Sequence, residues 1–88
     1  MAERQTLIEF PCDFPLKIMG AAVEGFAEAI AAVVRRHDPG FDVATMQVRP
    51  SRAGNYVGLT CVIRATSQAQ LDAAYRELSS HPLVKVVL

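Results

Sequence analysis

The chain has no tryptophan, two cysteines and two histidines in 88 residues, and no excess charge of either sign. Each shortage excludes something. Cys12 and Cys61 are too few and too scattered for a disulfide framework, and no CxxC occurs, so they read as two free thiols of a cytosolic protein. Nine basic residues balance nine acidic ones. A neutral chain has no global attraction to nucleic acid or anionic lipid, so any such binding needs a local patch. No apolar run approaches the roughly 20 residues of a membrane span. The opening MAERQTLIEF lacks an apolar stretch of signal-peptide length. Neither His37 nor His81 has partners at metal-ligand spacing, so no metal and no cofactor is expected.

What is present is an ordinary globular composition, 51% apolar and 20% charged, in a chain of single-domain length. Such a chain buries roughly 60–65% of its unfolded surface. The residues up to 13 read as an arm along the domain, anchored by Ile8 and Phe10, because Pro11 and Pro15 argue against a regular element there. Strand one is read at 16–19 and ends at Gly20. Helix one is read from about Ala21 to His37. Val23, Phe26, Ala27, Ile30, Val33 and Val34 form its apolar stripe, and Asp38-Pro39-Gly40 stops it. Strand two is read at 43–49, followed by a hairpin loop in which Gly54 takes positive φ. Strand three alternates most clearly: Val57, Leu59, Cys61, Ile63 and Ala65 face one way, Tyr56, Gly58, Thr60, Val62 and Arg64 the other. Helix two opens on Ser67 with Gln70 three residues on, a capping-box pattern. Strand four is read at 83–88, with Val84, Val86 and Leu88 inward.

The order β-α-β-β-α-β predicts an α+β, ferredoxin-like sandwich. One four-stranded antiparallel sheet, in spatial order 4-1-3-2, carries both helices on one face. By alternation the helix-free face should present Lys17, Arg49, Arg64 and Lys85 among Met19, Val62, Leu83 and Val87. A mixed basic and apolar face suits a second copy of the chain or another protein. It suits nucleic acid poorly, because sheets of this shape that bind RNA stack bases on aromatics and only Tyr56 is at hand.

Motifs of chemistry are scarce. There is no Walker loop, no GxSxG and no paired-carboxylate pattern, so no catalytic residue is assigned. A Cys12 nucleophile has no adjacent base to activate it. Asp38 and Asp42 flank a turn and should shape it. Gly20 and Ala21 are the candidate ligand-binding residues, because a glycine before a helix lets backbone N–H groups face a small anion.

Several strings carry a resemblance. Glu9-Phe10-Pro11, Phe14, Lys17-Ile18-Met19-Gly20, Arg36-His37 with Pro39-Gly40, Gly54-Asn55-Tyr56 and Val86-Val87-Leu88 resemble, in order and spacing, the YbeD-like family of small bacterial proteins. The resemblance implies an ACT-like fold, a regulatory rather than enzymatic role, self-association or a small-molecule effector, and a link to lipoate metabolism. Gly20 matches the glycine of the ACT ligand loop, but Ile18 and Met19 stand where that loop often carries Asp and Pro.

Overall fold

A computed structural model describes residues 9–88. The elements are β1 (Cys12–Ala21), α1 (Phe26–His37), a 3-10 turn (Val43–Thr45), β2 (Gln47–Pro50), β3 (Tyr56–Ala65), α2 (Gln68–Ser80) and β4 (Val84–Val87). The strands form one antiparallel sheet in the order β2-β3-β1-β4, which is the expected order read from its other side. Leu16, Ile18, Leu59, Cys61 and Ile63 leave the sheet on one face and meet Phe26, Ile30, Val34, Leu71 and Leu78 of the helices. All are nearly or fully buried. Each large aliphatic or aromatic member contributes about 1.5–3 kcal/mol.

The expected sidedness of β3 holds: Leu59 and Ile63 are each 1% exposed, whereas Arg64 lies outside. The element boundaries need correction. β1 begins at Cys12, so Cys12 and Asp13 belong to the strand rather than to an arm, and Pro15 lies inside it opposite Val62. Pro15 is tolerated for a geometric reason. Lys17 exchanges both backbone hydrogen bonds with Leu88, so its N–H faces β4. Pro15, two residues earlier, aims its hydrogen-free nitrogen at the same side, where the β4 ladder no longer runs. Phe10 packs against the core as expected, and the anchor assigned to Ile8 lies outside the described residues.

α1 starts at Phe26, not Ala21. Ala21 is still in the ladder opposite Tyr56, and Gly25 takes a left-handed conformation, φ 87°, that ends the turn before the helix. Gly25 is therefore a cap rather than an interior glycine, and Val23 is 48% exposed instead of in the buried stripe. β2 likewise starts later than expected. The Asp42 carboxylate accepts from the Ala44 N–H and the Thr45 hydroxyl donates to the Asp42 carbonyl, folding 43–45 into a 3-10 turn. Gly54 has the expected positive φ of 81°.

The largest departure is in β4. Val87 lies opposite Ile18 and Val86 opposite Met19, but Val84 lies opposite Gly20, so Lys85 has no partner. This bulge resets the alternation. Val84 and Val87 both pack against the core, as does Leu83, while Val86 and Leu88 come out on the helix-free face.

Candidate functional site: the open sheet face

On the helix-free face the register sets side chains in rows. One row runs Gln47, Thr60, Lys17, with Leu88 at its end; the next runs Arg49, Gly58, Met19, Val86. Beyond them Val62 lies opposite Pro15 and Arg64 opposite Asp13. These two central rows line a shallow trough of ≈ 490 Å³ that crosses all four strands. Gly58 forms its floor: a Cβ there would meet nothing nearer than the Arg49 carbonyl oxygen, at 3.7 Å.

Of the face residues expected from alternation, Lys17, Met19, Arg49, Val62 and Arg64 are where they should be. Leu83 and Val87 are corrected to the core side, and Lys85 to the exposed bulge. Alternation already set Gly58 and Thr60 on the open side of β3, though not among the expected contact residues, and sequence reasoning missed Gln47, which alternation from Arg49 marks. Val86 and Leu88 carry no such mark, because only the bulge turns them out.

The face is apolar for an exposed surface. Met19 is 45%, Val62 46%, Val86 41% and Leu88 69% exposed. It is also basic. Arg64 donates to Asp13 at 3.5 Å, with both side chains largely exposed, an ion pair of little energetic weight. Among the described residues no ion pair engages Lys17 or Arg49.

The strand-one loop is different. Gly20 is buried, and a Cβ on it would come within 2.3 Å of the Leu83 carbonyl oxygen and 2.5 Å of Phe26 Cζ. The Ala21 N–H donates to Leu83 and the Ala22 N–H to Asn55, so these donors are taken within the fold. The glycine is required by packing, and the N–H groups of Ala21 and Ala22 are engaged by the fold rather than turned to a ligand.

Remaining polar residues tie elements together. Glu77 on α2 accepts from Arg36 and lies 2.7 Å from His37 Nε2 on α1. Gln70 accepts from the Thr66 N–H and donates to the carbonyls of His37 and Arg64. Ser67 caps α2 by accepting from the Gln70 N–H, as the capping-box pattern predicts. Asp38 accepts from the Arg64 N–H at 2.9 Å as well as shaping its own turn. Among the described residues no three His, Cys, Asp or Glu side chains gather in a metal-binding group. Cys61 is fully buried, and loss of water pushes its thiol up to about 11; Cys12 is partly exposed. Four residues of strand separate their register positions, about 13 Å, beyond disulfide reach.

The family model described as "protein of unknown function (DUF493)" matches residues 5–88. The chain belongs to this family. Its UPF0250 relative in Leptothrix cholodnii is 58% identical over 96% of this chain and 92% of its own length. The UPF0250 relative in Ralstonia nicotianae is 55% identical over 97% of this chain and 88% of its own. The YbeD-like resemblance in the sequence is thus a family membership. Among solved structures, protein HP0495 from H. pylori superposes with a TM-score of 0.75 over 92% of this chain and 85% of its own, at 10% identity. At that identity the likeness shows the shared ferredoxin-like fold. Among the described residues of this DUF493 chain, no helix is long and apolar enough to cross a membrane.

Proposed function

We propose that this DUF493 chain is a non-enzymatic, ACT-like interaction module that presents its open sheet face to another protein surface, a second copy or a different chain. The observation that carries the reading is the exposure of Met19, Val62, Val86 and Leu88 together on one side of the sheet. Clustered exposed apolar residues mark interaction sites, whereas single ones do not.

The sheet edges support the face as the contact. β2 is four residues long and ends on Pro50; β4 is equally short and bulged at Lys85; the uncovered part of β1 carries Asp13 and Pro15. Short strands, prolines, charges and bulges are the devices that block pairing at an edge. A regulatory role with a tie to lipoate metabolism and a cytoplasmic setting belong to the same reading.

The test compares the wild-type chain with Val86→Glu and Arg64→Glu. Light scattering gives the mass in solution at high micromolar concentration, and co-purification from the native host gives the partners. Unchanged thermal midpoints with lost association are expected. Identical masses and identical partners for all three proteins would remove the face from function.

A further inference from the structure

The charges on the open face narrow its occupant. Among the described residues Lys17, Arg49 and Arg64 stand on it with a single side-chain carboxylate, Asp13, which already lies beside Arg64. Between Lys17 and Arg49 the sheet has a pit, because Gly58 has no side chain and the neighbouring Met19 and Thr60 do. A group seated there would rest on backbone, since nothing lies nearer to a Cβ position on Gly58 than the Arg49 carbonyl oxygen at 3.7 Å. Cations border it, and Val86 and Leu88 extend the apolar floor to the far strand.

We propose that this face receives an acidic, aliphatic segment of a different protein, one aliphatic side chain seated over Gly58 and flanking carboxylates on Lys17 and Arg49. The inference rests on the interaction reading above and names its partner. A second copy fits less well. A two-fold contact sets the same patch against itself, three cations and one side-chain carboxylate per copy among the described residues. Like charges juxtaposed in an interface oppose association, and opposite charges select the partner. A nucleic acid would satisfy the cations but not the exposed Met19, Val62, Val86 and Leu88.

Two capped helical peptides of equal length test this by amide NMR titration of the full chain. One bears a leucine stripe flanked by glutamates, the other the same stripe flanked by lysines. The glutamate peptide should give saturable shifts at Met19, Gly58 and Thr60 that weaken as salt rises. Lys17→Glu and Arg49→Glu should each weaken it about tenfold. Gly58→Ala, whose Cβ meets only the Arg49 carbonyl oxygen at 3.7 Å, should weaken binding without lowering the thermal midpoint. Equal binding of the lysine peptide at these amides would overturn the acidic partner while leaving the face as an interaction surface. A wild-type dimer dissolved by Val86→Glu would do the same, with a second copy as occupant. Absence of saturable shifts for either peptide up to millimolar concentration would overturn it too. Shifts confined to the helical face would overturn both the inference and the reading beneath it.

Discussion

Phe26 closes over Gly20: the ring of the first residue of α1 occupies the space that any side chain on Gly20 would need. The contact joins the end of β1 to the start of the helix. It also explains why a residue that invites reading as a ligand loop is a packing element.

Gly20→Ala should therefore lower stability by about 1–3 kcal/mol, the range for overpacking a core. The Leu83 carbonyl cannot move aside as a side-chain tip can, so the upper part of the range is expected. Gly58→Ala serves as the contrast, because its Cβ meets only ordinary contacts. It should be neutral or slightly stabilising. Urea unfolding of the two variants checks the difference, and equal losses would contradict the packing role of Gly20.

Gln70→Ala should cost about 1–3 kcal/mol, since the amide satisfies the carbonyls of His37 and Arg64 and the N–H of Thr66 from a partly buried position. Ser67→Ala should cost about 1 kcal/mol through loss of the cap. Chemical denaturation measures both. A Gln70 variant as stable as the parent would mean that water replaces these bonds without loss.

Cys61 should stay unreactive to thiol reagents in the folded protein, while partly exposed Cys12 reacts first. Cys12→Ser should remove the reaction of the folded protein and leave only the thiol that unfolding exposes. Burial raises the Cys61 thiol from 9.0 to about 11. Below about pH 9 the thiol is protonated in both folded and unfolded chains and has no effect. Between about pH 9 and pH 11 only the unfolded chain loses the proton, so stability falls as pH rises, by at most about 3 kcal/mol. Burial raises the Tyr75 hydroxyl as well, which acts in the same direction. Cys61→Ala should flatten this part of the pH profile, and an unaltered profile would refute the assignment.

Pro15→Thr should restore an N–H on the stretch of β1 that β4 leaves uncovered. If Pro15 guards that edge, the variant keeps its fold but forms larger species over time in light scattering. A variant with the parental mass under the same conditions would show that Asp13 and the neighbouring residues suffice.

Much of this architecture is written in periodicity. The alternation from Val57 to Ala65 gives the buried and open sides of β3, and the stripe from Phe26 to Val34 gives the buried side of α1. The Ser67 cap is legible from three residues. Boundaries are less so. Pro15 reads as a breaker because a sequence does not show which side of a strand is unpaired. The segment 43–45 reads as extended because the Asp42 turn competes with the ladder through local hydrogen bonds. In the candidate site, Lys17, Met19, Arg49, Val62 and Arg64 follow from parity alone. Val86, Val87 and Leu88 do not, since one unpaired residue inverts parity and leaves no mark in composition, and Leu83 lies before β4, where strand parity does not apply.

That surplus residue also sets how the chain tolerates changes of length near Leu88. Lys85 is slack: a deletion there shortens the strand, straightens its ladder and keeps every later side chain on the side it now occupies. An insertion after Val86 finds no such reserve. It would tip Val87 into water and turn Leu88 under the helices, dismantling the core edge and the outer wall of the trough at one stroke.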